Sequence, residues 1–261
     1  MMNSRVGISN GVDERNFLLG VPIDCRSLET LVSEVRSALD GKNRVIFACA
    51  NPHSLVVAQR DPNFLDALNR AHHVVADGVG VILAARCFTG GRFHRITGFD
   101  YFQAVMKLLS QRGGGRVFFF GSSNEVLGRI EERFAKEYSS LTLCGTFSPP
   151  FGGWSPAENM RMLETIRNAK PDVLWVGMTA PKQEKWVDSI REHLYVPVIG
   201  SIGAVFDFYA GTQKRAPEWM RKSGLEWCYR LLREPRRMWR RELLSPPEFL
   251  YWLLRQHLFR K

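Results

Sequence analysis

Short apolar runs, punctuated by glycine, proline and polar turns, alternate along the chain with longer stretches in which apolar residues recur every three or four positions. The runs read as strands at 17–23 (FLLGVPI), 44–50 (RVIFACA), 74–76, 116–120, 141–147, 173–178 (VLWVGM) and 196–202. The periodic stretches predict helices over 27–39, with Ser27 as cap, and across 52–70, 79–85, 99–111, 124–138, 156–169 and 181–193. Strands alternating with helices of this length predict an α/β, Rossmann-like fold: a mostly parallel sheet with helices on both faces. The segment 148–156 (SPPFGGWSP) is too rich in proline and glycine for regular structure and reads as a surface loop over the ligand crevice. After Ala204 the strand signal ends. Helices are expected at 217–223, 224–234, 236–244 and 247–259, broken by Gly224, Pro235 and the Pro246-Pro247 pair. The chain of 261 residues thus divides into an N-terminal extension (1–16), a core (17–203) and a helical appendage (204–261).

Charge sharpens this division. The formal net charge is +10, and the segment from Lys214 to Lys261 holds 13 Lys/Arg against 5 Asp/Glu, so the appendage carries most of the excess. Its basic positions Arg230, Arg233, Arg237 and Arg241 share a helical stripe opposite Leu225, Cys228, Leu232, Trp239 and Leu243. Eight aromatic residues, from Trp219 to Phe259, enrich it in the types that sit at headgroup level, which favours an anionic membrane surface. Nucleic acid suits the same composition, so a basic nucleic-acid-binding α/β protein stands as the alternative. The five cysteines include no CxxC pair, which argues against a zinc site or disulfide framework and for a reduced, cytosolic compartment. No stretch approaches a membrane span, and the N-terminus lacks the apolar core of a signal peptide.

Chemistry is expected at the carboxyl ends of strands, where open α/β sheets bind ligands. Asp77 follows Val74-Val75-Ala76 directly and precedes Gly78; it reads equally as a functional acid or as the cap of the next helix. Asn51-Pro52 after the second strand reads first as an ordinary helix cap. The turn Gly121-Ser122-Ser123 resembles a nucleotide-contacting turn, although both GxGxxG and GxxxxGK[ST] are absent, which also removes support for a dinucleotide oxidoreductase. Pro181 places Lys182, Gln183 and Glu184 in a first helical turn, a cationic site for phosphate with an amide for a base or sugar hydroxyl. Arg95 brings a cation towards Asp77. No Asp-x-Asp pair is present, and the histidines lack metal-ligand spacing, so the chain calls for no cofactor; a divalent metal is neither indicated nor excluded.

The motifs ADGVGV (76–81), RITGFD (95–100), FFFGSS (118–123), PDVLWVGMTAPKQEKW (171–186), GAVFDFYAGTQKRAPEWM (203–220) and GLEWCYRLLREPRRMWRR (224–241), in that order, resemble the WecG/TagA/CpsF family, glycosyltransferase family 26. The resemblance spans about residues 17–245. It implies inverting transfer of a sugar, of the N-acetylhexosamine type such as N-acetylmannosamine or its uronic acid, from a UDP-sugar to a polyprenyl-diphosphate-linked sugar in bacterial envelope or exopolysaccharide synthesis. It further implies a cytoplasmic protein peripheral on the inner face of the cell membrane, and leaves open whether the chain forms a homo-oligomer. Carried over residue by residue, it makes Asp77 the general base with Asn51 and Arg95 beside it. Lys182, Gln183 and Glu184, with Gly78, Gly121, Ser122 and Asp207, would bind substrate, and Arg230, Arg233 and Arg237 would meet diphosphate. Cys49 stands where the family commonly has threonine, which removes a hydroxyl from the substrate side.

Overall fold

The computed structural model of the chain describes residues 15–258. In chain order it runs β1 (Arg15–Leu18), β2 (Val21–Asp24), α1 (Leu28–Leu39), β3 (Val45–Ala50), α2 (Pro52–Ala58), α3 (Pro62–Asn69), β4 (His73–Ala76), α4 (Val79–Thr89) and α5 (Gly98–Gln111). It continues with β5 (Arg116–Gly121), α6 (Asn124–Glu137), β6 (Thr142–Phe147), α7 (Pro156–Ala169), β7 (Val173–Gly177), α8 (Lys182–Ile190) and β8 (Val198–Ser201). The remainder is helical: α9 (Val205–Ala210), α10 (Glu218–Lys222), α11 (Glu226–Arg233), α12 (Pro235–Trp239), a π-helical turn (Arg240–Leu244) and α13 (Ser245–Leu258).

Six strands form one parallel sheet in the order β4-β3-β8-β7-β5-β6. Strands β4, β7 and β8 are buried along their whole length, as a parallel sheet requires when helices cover both faces. One face packs on α2, α3, α4, α7, α8 and α13 through residues such as Leu55, Phe64, Val81, Ile166, Trp186 and Leu253. The other packs on α1, α5, α6 and α9 through Val35, Phe102, Ile130 and Phe206.

Three local expectations need correction, and a fourth holds. The run 17–23 is a hairpin, not one strand: Leu19 and Gly20 both take positive φ (52° and 78°), a two-residue reversal that pairs Phe17 with Pro22. The helical segments across 52–70 are two, as expected, because Asp61 accepts from the Phe64 amide and Pro62 starts a new first turn. Helix α9 was not anticipated; its six residues are too few to show a period. Pro246-Pro247 does not break the terminal helix. Ser245 donates its amide and its hydroxyl to the Arg240 carbonyl across the π turn, so the chain passes the two missing N–H groups and stays helical.

The segment after residue 203 is seated on the core at both ends. Val205, Phe206 and Tyr209 of α9 are core residues of one face, and Phe249 and Leu253 of α13 are core residues of the other. Between them, α10 and α11 contribute no buried residue.

Candidate active site

Strands β3 and β8 are neighbours, but the chain leaves β3 towards α2 on one face and leaves β8 towards α9 on the other. This divergence opens a crevice at their carboxyl ends, the place where such sheets bind ligands. Asp77 stands at its rim, one residue beyond β4, with its amide donated to the Ala50 carbonyl at 2.8 Å. Gly78, at φ 104°, is the cap residue of α4, and no side chain caps that helix. The capping reading of Asp77 therefore falls, and the carboxyl is left to the crevice. Although its edge reaches solvent, protein crowds it, and this desolvation pushes its pKa up; Arg241, Arg230 and Arg95 oppose the shift and Glu226 adds to it.

The residues around Asp77 divide between scaffold and chemistry. Asn51 caps α2: its Oδ1 accepts from the Ser54 amide at 3.0 Å while Ser54 Oγ accepts from the Asn51 amide at 2.7 Å, the reciprocal box that fixes the β3 exit. In RITGFD, Thr97 and Asp100 form the same device for α5, and Gly98 lets that helix approach Cys49, whose Sγ lies 3.4 Å from where a Cβ would stand. The Cys49 thiol is held well above its ordinary pKa, first by burial and then by Asp77, Glu184 and Asp100, so it is a neutral wall.

Opposite, β5 and β7 bring Gly121 against Gly177. A Cβ on Gly121 would stand 2.5 Å from the Gly177 carbonyl oxygen, and φ is 123°, so glycine alone fits this turn. Ser122 follows at φ 60°, its carbonyl accepting from Ser148 Oγ at 2.7 Å, while Ser123 caps α6. Lys182 is turned to the 148–156 loop: Nζ donates to the Gly152 carbonyl at 2.7 Å and lies 3.8 Å from the centre of the Trp154 ring. The Gln183 carboxamide is engaged within the protein, its Oε1 accepting from the amides of Met178 and Gly203, both at 3.2 Å. Its Nε2 donates to Glu184 Oε1 at 2.8 Å. Glu184 is buried, and desolvation raises its pKa to about 7. Asp207 lies in the first turn of α9, where its Oδ1 accepts from Thr212 at 3.3 Å.

The appendage closes the other side. Arg95 donates to the Arg221 carbonyl at 2.6 Å and to Glu226 at 3.3 Å, tying the core motif to α10 and α11, and its Nε is buried without a hydrogen-bond partner among the described residues. Arg215 lies over the Phe99 ring at 4.4 Å and senses the charges of Glu226, Asp100 and Asp77. Arg230 of α11 bears on Asp77, whereas Arg233 leans on the Tyr229 ring at 5.5 Å. The Arg237 side chain lies outside the described residues.

Sequence reasoning placed Arg241 on the basic stripe but not at the site. It is the strongest cation on Asp77 and acts also on Cys49, Glu184 and His53. The π turn carries it there, and no residue pattern announces a π turn. Glu226 and Arg215 were likewise missed; each is polar inside a motif that was read only as a string.

A Rossmann-like sheet whose carboxyl edge presents a desolvated acid among arginines has the architecture of an α/β enzyme. The glycosyl transferase WecG/TagA/CpsF family matches residues 16–261, and the chain belongs to that family; it is a glycosyltransferase. An N-acetylglucosaminyldiphosphoundecaprenol N-acetyl-beta-D-mannosaminyltransferase of Bacillus subtilis (strain 168) is 28% identical over 224 residues, 85% of this chain and 84% of the relative. A protein of the same name from Staphylococcus aureus (strain MW2) is 29% identical over 236 residues, 90% of each. These findings fit the transferase expectation and not the nucleic-acid-binding alternative. No helix among the described residues is long and apolar enough to cross a membrane.

Proposed function

We propose that this enzyme transfers an N-acetylhexosamine-type sugar, with N-acetylmannosamine first in order, from a UDP-sugar to a sugar linked to polyprenyl diphosphate at the inner face of the cell membrane. The observation that carries the reading is the Asp77 carboxyl, desolvated at the crevice rim and faced by Arg95, Arg230 and Arg241. The names of the relatives supply the acceptor class and the sugar.

In the reaction the acceptor hydroxyl gives its proton to Asp77 as its oxygen bonds to the anomeric carbon. The bond from that carbon to the diphosphate oxygen breaks, and the centre inverts. A desolvated carboxylate is a stronger base than one in water, and the arginines balance the negative charge that gathers on the leaving diphosphate. Lys182 and the β5–α6 turn at Gly121-Ser122 serve the nucleotide side. Residues 204–261 act as the membrane-docking appendage of the 17–203 core. Exposed Trp227, Leu232, Trp239, Leu243 and Leu244, interleaved with arginine, support that role. The test is turnover of a UDP-sugar panel with anionic vesicles carrying N-acetylglucosaminyl-diphospho-polyprenol. One donor consumed with release of UDP is expected; no turnover together with no UDP binding would overturn the reading.

A further inference from the structure

Glu184 sits in the first turn of α8 with 6% of its surface exposed, and its Oε2 has no hydrogen-bond partner among the described residues. Its other oxygen receives the Gln183 Nε2 proton, and Gln183 is itself only 5% exposed. The far end of that carboxamide accepts from two backbone amides, Met178 just past β7 and Gly203 just past β8. One side chain therefore ties together the exits of two adjacent strands, and it does so in one orientation only. If the carboxamide turned over, its N–H groups would face the two backbone donors, losing both of those bonds. Gly203 leads to α9 with Asp207, and Met178 leads to Lys182, so the spacing of these exits sets the β7 side of the crevice that opens beside β8.

We propose that Glu184 is a positioning residue: by holding the Gln183 carboxamide in register it fixes the two strand exits between which the donor nucleotide lies. This rests on the reading that the donor is a UDP-sugar bound on the β7 side. Glu184 does not touch substrate in this assignment, which replaces the substrate-contact role expected from the motif. Burial favours its neutral acid form, and a neutral isostere performs the same holding function.

The experiment measures kcat, donor KM and UDP affinity for wild type, Glu184→Leu, Glu184→Asp and Glu184→Gln in the full chain with acceptor vesicles. Leucine removes the acceptor, and aspartate keeps the carboxyl but falls short by one methylene. Both are expected to raise donor KM and the UDP dissociation constant about tenfold, as loss of one buried hydrogen bond implies, with kcat changed less than about threefold. Glutamine restores the bond and returns KM to within about twofold of wild type. Unchanged KM in the aspartate variant overturns the proposal, and remains readable if the leucine variant does not fold. A glutamine variant as impaired as the others also overturns it, because the ionised carboxylate would then act on substrate directly. Failure of wild type to bind UDP would instead sink the donor reading itself.

Discussion

Phe249→Ala tests whether the C-terminal helix is part of the core or a detachable arm. Phe249 and Leu253, 5% and 2% exposed, belong to the core cluster that includes Leu55 and Val56 of α2 and Val81, Ile82 and Ala85 of α4. The polar contacts of α13 are few: His53 Nδ1 with Ser245 Oγ at 2.8 Å, the Leu19 amide donating to Gln256 at 3.2 Å, and an ion pair between Arg60 and Glu248. Arg60 is mostly exposed, so that pair contributes under about 1 kcal/mol. Truncating a buried phenylalanine costs about 3–5 kcal/mol, a large part of the roughly 5–15 kcal/mol that holds a domain folded. Urea unfolding followed by far-UV circular dichroism is expected to show one transition, with the midpoint lowered by this free energy divided by an unchanged slope. Arg60→Ala should barely move it. A cost below about 1 kcal/mol for Phe249→Ala, or a separate early transition, would refute the reasoning. One consequence follows for membrane tests: truncation at residue 203 removes Val205, Phe206, Phe249 and Leu253 and so unfolds the core, which makes surface substitutions the sounder probe.

Glu184 makes the stability of wild type depend on pH, and Glu184→Gln removes that dependence. The buried carboxyl has a pKa of about 7 against an ordinary 4.5, so the unfolded chain releases this proton first as pH rises. Wild type therefore loses stability between about pH 4.5 and 7, by about 3 kcal/mol, and glutamine escapes the loss. The variant should match wild type near pH 4.5 and exceed it at pH 8 in urea unfolding; equal midpoints at pH 8 would contradict this. Leu232→Ser combined with Trp239→Ser, both exposed positions, should weaken sedimentation with anionic vesicles several-fold while changing stability by less than about 0.5 kcal/mol per site. Unchanged sedimentation would remove these residues from the membrane face.

The periodic elements were legible because each carries enough residues to show its period: α5 and α6 span 14 residues each, and β7 is apolar throughout. Where a single residue decides, the sequence reads ambiguously. Gly20 looked like strand interior because the run around it is apolar on both sides, and the positive φ of Leu19 is a property of the pairing, not of leucine. The carboxyl-edge position of Asp77 followed from the strand before it, but its freedom from capping needed the backbone of Gly78. Gln183 and Glu184 were legible as a first helical turn beyond a strand and illegible as a pair, since the strand exits they join lie 25 positions apart at Met178 and Gly203. Arg241 stayed hidden because reaching Asp77 depends on the π turn.

The central claim is that Asp77 removes the acceptor proton. The direct test is single-turnover transfer by wild type and Asp77→Asn, with UDP affinity measured on the same samples across pH. The account predicts that the asparagine variant keeps UDP affinity within a few-fold and loses about 10²–10⁴ in rate. It also predicts that wild-type rate falls as pH drops through the raised pKa of Asp77, because a protonated carboxyl accepts no proton. Transfer by Asp77→Asn at more than about a tenth of the wild-type rate, with the same pH profile, would contradict it.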